Sequence, residues 1–304
     1  MKYLVTGATG LVGTSLVNAL LQSGIGVHYL TTRVPQNATF PGARGFRWDP
    51  IQGTIDTEAL EGVSTVIHLA GASIAKPWTK AYKKEILDSR VQGLAVLAQA
   101  IEGGKFPIKK LVTASATGIY PSDLEQVYAE SHTEVAQDFL GQVVQQWETA
   151  ADRWSELGIE VVKCRFGLVF STTSGSLPAM VGPVRWGLGS ALGHGQQWQS
   201  WIHLKDLTQL LIWCAAQGSA GVYNAVAPKP LRQIELAKTI ARILRKPFWA
   251  PPVPSWVLRV ILGERSALVL SSQRVSAQKI LDAGFVFEFS EVSDALSDLL
   301  TPKR

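Results

Sequence analysis

The stretch Gly7–Ala8–Thr9–Gly10–Leu11–Val12–Gly13 constrains this chain more than any other. It follows a short, mostly apolar run, Lys2–Thr6, and opens an apolar helical pattern through Leu16, Leu20 and Leu21 that stops at Gly24. Val27–Leu30 then reads as a second strand, so Lys2–Leu30 forms one β-α-β unit. In such a unit the chain turns sharply from strand into helix, and the N–H groups at the helix start offer a seat for a pyrophosphate. Gly7 permits the turn, Gly10 lets the backbone come close to phosphates, and Gly13 lets helix and strand pack. With Thr9, Leu11 and Val12 between them, these residues are candidate contacts for a dinucleotide cofactor. A glycine pattern alone is weak evidence; its place between strand and helix makes it specific.

The second strand ends Tyr29–Leu30–Thr31–Thr32–Arg33. A site selective for NAD(H) wants a carboxylate here, to accept hydrogen bonds from the ribose 2′-hydroxyl. A 2′-phosphate instead wants hydroxyls and a guanidinium fork. No Asp or Glu lies between Gly24 and Asp49, so Thr31, Thr32 and Arg33 favour NADP(H) over NAD(H).

Beyond this unit, Val63–Ala70 reads as a buried strand, Thr79 as the N-cap of a helix running to about Ala100, and Lys110–Ala114 as a strand. A helix over Gln142–Leu157 and a strand over Ile159–Phe166 follow. Strands alternating with helices predict an α/β fold built on a Rossmann-type doubly wound parallel sheet. After Phe166 the pattern changes. Ser171–Gln199 is rich in Gly, Ser and Pro, lacks sustained periodicity and reads as a binding loop or lid. Leu204–Ala216 is helical, Val222–Ala225 a strand, Gln233–Leu244 an amphipathic helix and Pro247–Pro254 a Pro-rich connector. The expected organisation is a dinucleotide-binding domain over 1–170, to which 200–228 return, and a smaller mixed C-terminal, substrate-side domain of 171–199 and 229–304.

Composition narrows the partners. Of 304 residues, 46% are hydrophobic and 17% charged, enough for a large core and too little charge for a disordered chain. The net charge of +5 is spread along the chain, with no interleaving of aromatic and basic residues that would suggest a nucleic-acid groove. Cys164 and Cys214 sit in apolar surroundings and read as reduced core thiols of a cytoplasmic protein. The five histidines show no metal-ligand spacing, so no metal is expected. Nothing at Met1–Tyr3 reads as a signal peptide. No apolar run reaches the roughly 18 residues of a membrane span. Ser255–Leu262, interrupted by Arg259, is expected to be a packed helix rather than a membrane-surface anchor. The expected partner is a small-molecule substrate of unknown identity, bound by a monomer or homodimer.

The spacing G-x-x-G-x-x-G within Thr6–Gly13 resembles the extended short-chain dehydrogenase/reductase superfamily. His68–Leu69–Ala70–Gly71 resembles that superfamily's fourth-strand motif, whose backbone lies beside the cofactor. Members usually carry a Ser, a Tyr and a Lys four residues after the Tyr. The Tyr exchanges a proton with the substrate hydroxyl, and the Lys lowers its pKa and holds the nicotinamide ribose. Ser115 fits the serine position, but Phe139 and Val143 stand where Tyr and Lys belong, and neither can carry a proton. None of the six tyrosines has Lys at the fourth place after it.

That gap is itself shared with a narrower group. The chain resembles the atypical, extended "epimerase family", which carries a small C-terminal domain of undefined function and whose members are also described as cell-division inhibitors. The resemblance rests on Trp48–Asp49–Pro50, Gly71–Ala72–Ser73–Ile74–Ala75, Ser89–Arg90–Val91, Gly187–Leu188–Gly189, Ser200–Trp201–Ile202–His203, Asn224–Ala225–Val226–Ala227–Pro228, Leu262–Gly263–Glu264 and Ser272–Gln273–Arg274–Val275. It implies cofactor contacts at Leu69, Ala70, Glu85, Arg90 and Arg165, the arginines offsetting anionic charge and Glu85 accepting from a ribose hydroxyl. One departure is that the family's Arg directly follows the residue matching Thr31, whereas here Thr32 intervenes before Arg33.

Tyr120 is the candidate for the missing acid, with packing as its alternative, since five residues along a straight strand from Ser115 reverse the face. Ser115 is either a substrate ligand or a backbone-bonding hydroxyl. His203 and Asp206 read as structural groups, and Trp186, Trp198 and Trp201 as pocket wall or core. Two functions stay open. One is an NADP(H)-dependent oxidoreductase or nucleotide-sugar epimerase-like enzyme with a non-standard acid/base. The other is a non-catalytic NADP(H)-binding sensor or partner-binding protein.

Overall fold

The structure, a computed structural model, describes residues 1–34, 39–104 and 106–301. The chain divides into two compact units. The first comprises Met1–Ala116, Gln142–Arg165 and Thr208–Tyr223, the second Thr117–Gly141, Phe166–Leu207 and Asn224–Arg304. Residues 302–304 of the expected C-terminal domain lie outside the described residues.

The first unit is built on β1 (Lys2–Thr6), α1 (Leu11–Gln22), β2 (Gly26–Thr31), β3 (Ala43–Asp49), β4 (Thr54–Ile55), β5 (Thr65–His68), α2 (Lys80–Gly103), β6 (Lys110–Ala116) and most of α3 (Phe139–Asp152). An eight-stranded sheet runs in the order Gly221–Ala225, Glu160–Phe166, β6, β5, β1, β2, β3, β4. From β6 to β3 the pairs are parallel, and β4 closes the edge antiparallel to β3. Burial on both faces explains why β5 is an unbroken buried run, Thr65–His68, rather than an alternating one. The connections wind one way from β1 through β2 and the other way through β5, which puts the topological switch point of the sheet at the C-terminal ends of β1 and β5. Thr79 caps α2 as its sequence predicts, its side chain accepting from Tyr82 N, and Ile86, Leu94, Leu97 and Ile101 turn inward.

The second unit is built from short strand pairs and helices. Leu168–Phe170 runs parallel to Trp201–His203, and Arg274–Val275 parallel to Val127–Tyr128. Helices Ser176–Arg185, Gln233–Ile243 and Val292–Leu300 surround a core that includes Phe170, Trp201, Leu236, Ile240 and Leu296.

Three expectations change. Ser171–Gln199 is not one long loop, because Ser176–Arg185 is a helix with Leu177, Val181 and Val184 buried at helical spacing. Pro183 inside it and the glycines around it conceal that period. Residues 117–141, 166–170, 200–207 and 224–228 sit in the second unit rather than with 1–170. Arg274–Val275 pairs with Val127–Tyr128, Leu168–Phe170 and Trp201–His203 pair with each other and bring Phe170 and Trp201 into the core with Leu236 and Leu296, and Asn224 donates to Glu130 Oε1 and to Ser276 O. Finally, Ser255–Leu262 is a helix, but it buries only Leu258 and leaves Trp256, Val260 and Ile261 exposed.

Candidate functional site

The turn from β1 into α1 adopts a conformation that only glycine holds well. Gly7 has φ +66°, and a Cβ there would lie 2.7 Å from the Leu69 carbonyl carbon. A Cβ on Gly13 would lie 2.2 Å from Gly7 O, so the helix could not approach the turn. Gly10 caps α1 without a side chain, and the first turn, Leu11–Val12–Gly13, carries no acidic residue. Neither a side-chain cap nor a first-turn carboxylate meets the N–H groups and the positive end of the helix dipole there.

Thr6, which sequence reasoning passed over, locks the other wall. Its Oγ1 accepts from Leu69 N and Ala70 N, both at 3.1 Å, and lies 2.9 Å from His68 Nδ1. With both acceptor positions of the hydroxyl used, its proton goes to Nδ1, which leaves the His68 proton on a buried Nε2 that meets no hydrogen-bond partner among the described residues. Burial, then the positive charge of Arg90, push the His68 pKa down to about 3, so the ring is neutral. The backbone of Leu69 and Ala70 is thereby fixed against the Gly7 turn.

Gly71–Ala75 and Ser89–Arg90 belong to one arrangement. Ser89 Oγ accepts from Ala72 N at 2.9 Å, and Arg90 donates through one nitrogen to Ala72 O and Ile86 O. The Arg90 guanidinium lies 5.1 Å from the Trp147 ring centroid. Burial lowers its pKa to about 10, still high enough to keep the charge at neutral pH. Glu85, by contrast, is exposed on α2. Arg33 is exposed just past β2, and its N–H donates to Thr31 Oγ1 at 3.1 Å, which shapes the turn that carries Thr31, Thr32 and Arg33.

At the C-terminal end of β6, Ser115 is buried and donates to Glu148 Oε1 at 2.5 Å. Arg165 grips the same carboxylate with two bonds of 2.8 Å, from Nε to Oε1 and from an Nη to Oε2. Lys163 stands 4.0 Å from Oε2. Burial pushes the Glu148 pKa up, but Arg165, then Ser115 and Lys163, outweigh it and hold the carboxyl below its ordinary range. Glu148 carries no motif that marks it in the sequence. Its partners lie 33 and 17 positions away, and only the fold brings them together.

The other candidates have partners of their own or lie apart. In the second unit Tyr120 is buried, donates to Asn224 Oδ1 at 2.7 Å and stacks on Tyr128. Asp206 accepts from Glu288 N and Phe289 N, and His203 stacks on Phe289. The three tryptophans do not form a common wall: Trp201 stacks on Phe170 in the core, Trp198 packs against Arg232 and Arg274, and Trp186 is exposed. In the first unit Val143 is buried on α3, and Cys164 and Cys214 are buried thiols 3.8 Å apart.

A parallel sheet wound both ways from a glycine turn, with a serine at the end of β6, defines a Rossmann-type short-chain dehydrogenase/reductase fold. Residues 3–226 match the NAD dependent epimerase/dehydratase family, and residues 253–299 match a domain of unknown function, DUF1731. The chain belongs to the NAD dependent epimerase/dehydratase family. An epimerase family protein of Staphylococcus aureus strain N315 is 38% identical over 302 residues, covering 98% of this chain and 99% of that one. The crystal structure of human epimerase family protein SDR39U1 (isoform 2) with NADPH superposes with a TM-score of 0.86 at 28% identity, covering 98% of this chain and 99% of that one. A nucleoside-diphosphate sugar epimerase from Corynebacterium glutamicum matches with a TM-score of 0.79 at 27% identity, covering 99% of this chain and 58% of that one. Among the described residues, no helix is long and apolar enough to cross a membrane.

Proposed function

We propose that the chain binds NADP(H) in its first unit and uses it to oxidise or reduce a small carbinol or carbonyl, with Ser115 and Glu148 moving the proton. The observation that carries this reading is the buried Ser115–Glu148 hydrogen bond at the serine position, beside a helix that has neither Tyr nor Lys where they usually stand.

The residues present suit the cofactor. Gly7, Thr9, Gly10, Leu11, Val12 and Gly13 would seat the pyrophosphate on a helix N-terminus bare of side-chain caps. Thr31, Thr32 and the exposed Arg33 would hold a 2′-phosphate, a preference supported by the NADPH in the human relative's structure. Backbone at Leu69, Ala70 and Gly71 would line the adjoining side, with Glu85 reaching a ribose hydroxyl and Arg90 offsetting phosphate charge. When bound, NADP(H) supplies or takes up a hydride at the substrate carbon.

The chain's own part is the proton. Ser115 commits its hydrogen to Glu148 and keeps its oxygen lone pairs for a substrate hydroxyl. In oxidation the substrate's proton passes to Ser115 as the serine's own proton passes to Glu148; reduction runs the transfer backward. Arg165 is a positioning residue, holding Glu148 ionised and aimed at Ser115. Tyr120, with its hydroxyl committed to Asn224, packs rather than reacts. A nucleotide sugar is the substrate class supported by the description of the Corynebacterium relative, a nucleoside-diphosphate sugar epimerase.

A second reading, a cofactor-binding sensor without turnover, is favoured by Phe139 and the buried Val143. Single-turnover oxidation of bound NADPH against a panel of carbonyl compounds and keto nucleotide sugars separates the two. The proposal expects turnover with at least one of them, slowed about 100-fold or more by Glu148→Gln. Tight NADPH binding with no turnover on any of them supports the sensor.

A further inference from the structure

The second unit carries an apolar surface that neither its core nor the proposed chemistry uses. Trp186 and Leu188 follow the helix Ser176–Arg185, and Trp249 precedes the helix that bears Trp256, Val260 and Ile261. Trp186 is 85% exposed, Val260 78%, Trp249 70% and Trp256 67%. The two stretches run side by side. Leu192 and Val253 form a parallel bridge, Gly193 N donates to Val253 O at 2.8 Å, and Val253 N donates to Ala191 O at 2.9 Å. Nearer the tryptophans, the Pro247 ring lies over Gly187 and the Phe248 ring over Gly189. Single exposed apolar side chains are ordinary on a protein surface, but large ones gathered in one region mark an interaction site.

Charge selects the partner. Exposed Arg185, Arg245, Lys246 and Arg259 lie in the same two stretches, and residues 185–195 and 245–263 contain no Asp or Glu, the next carboxylate along the chain being the exposed Glu264. Tryptophans and aliphatic side chains flanked by cations match the headgroup region of an anionic bilayer, where aromatic rings settle and Arg and Lys meet phosphates. A second copy of the chain fits less well. A two-fold contact would set these four cations against the same four, with no carboxylate in either stretch to offset them.

We infer that this surface docks the protein on anionic lipid headgroups as a peripheral contact, with Ser255–Leu262 lying in the interface. At eight residues the helix is far too short to span the bilayer, which needs about 20. The test is sedimentation of the full chain with vesicles of phosphatidylcholine alone and of phosphatidylcholine with about one-third phosphatidylglycerol. The inference expects binding to the anionic vesicles only, a blue shift of tryptophan emission on binding, and loss of binding as salt is raised. The triple variant Arg245→Gln/Lys246→Gln/Arg259→Gln and the triple variant Trp256→Ser/Val260→Ser/Ile261→Ser should each weaken it about tenfold or more. NADPH binding, which does not use this surface, should be unchanged in both and reports that they fold. No binding to anionic vesicles, or equal binding to both kinds, overturns the inference. So does a concentration-dependent dimer that the serine variant dissolves while the protein ignores vesicles.

Discussion

Ser115 Oγ and Glu148 Oε1 lie 2.5 Å apart in the buried part of the first unit, and the same carboxylate carries both bonds of Arg165. The hydroxyl is a structural tie to a buried, ionised carboxylate and, in the proposed function, a proton path, and the two roles separate experimentally.

The structural role predicts a cost. Glu148→Ala takes from the buried Arg165 guanidinium the carboxylate that it holds with two bonds, and should destabilise the fold by about 3–5 kcal/mol in urea denaturation. The pH dependence has a definite sign. Because the folded pKa of Glu148 is depressed, its contribution is fully present above the unfolded value near 4.5 and is lost as pH falls through the folded pKa. The stability gap between wild type and Glu148→Gln should therefore narrow below about pH 4.5. A gap that widens on acidification would mean that Glu148 is not ionised in the fold.

His68 makes a second pH prediction. Its folded pKa of about 3 lies below the ordinary 6.5, so stability is full above pH 6.5 and erodes as the unfolded chain takes up a proton below it. The His68 ring proton signals in NMR should show no titration from pH 8 down to about 5. Thr6→Val removes the acceptor of Ala70 N and one of the two acceptors of Leu69 N, which keeps Thr6 O, and should cost about 1–3 kcal/mol. A midpoint near 6.5 would show that the ring is not locked on Thr6.

Gly7→Ala combines a positive φ with a backbone clash. The new Cβ would lie 2.7 Å from the Leu69 carbonyl carbon, and no side-chain motion relieves it. Calorimetry should show a loss of about 2–4 kcal/mol, with NADPH binding abolished. Unchanged melting and binding would mean that the turn differs from the one described.

Arg33 tests the choice of nucleotide. Arg33→Ala should weaken NADPH by about 10-fold or more and leave NADH almost unchanged, since only the former presents a 2′-phosphate to the guanidinium. Equal losses for both would assign the 2′-phosphate to other residues.

The β-α-β unit was legible from residues 2–30 alone, because strand, glycine turn and helix are local and each leaves its own period. The same holds for the cap at Thr79. The helix Ser176–Arg185 was not legible, since Pro183 and neighbouring glycines are loop residues by every local rule while burial of Leu177, Val181 and Val184 decides the outcome. Thr6 and His68 stand in motifs, but their roles, like that of Glu148, were not legible for another reason. Their roles are contacts between separate strands and helices, and a Thr or Glu in an otherwise ordinary segment carries no local mark. The expectations for Phe139 and Val143 were negative, and only the geometry around Ser115 suggested what replaces the missing relay.

The most direct test is the affinity of the wild-type protein for NADPH and NADH, measured by quenching of its tryptophans or by enhancement of nicotinamide fluorescence. The account predicts one bound NADPH per chain, held at least about tenfold more tightly than NADH. Equal affinity for the two, or binding of neither, would contradict it.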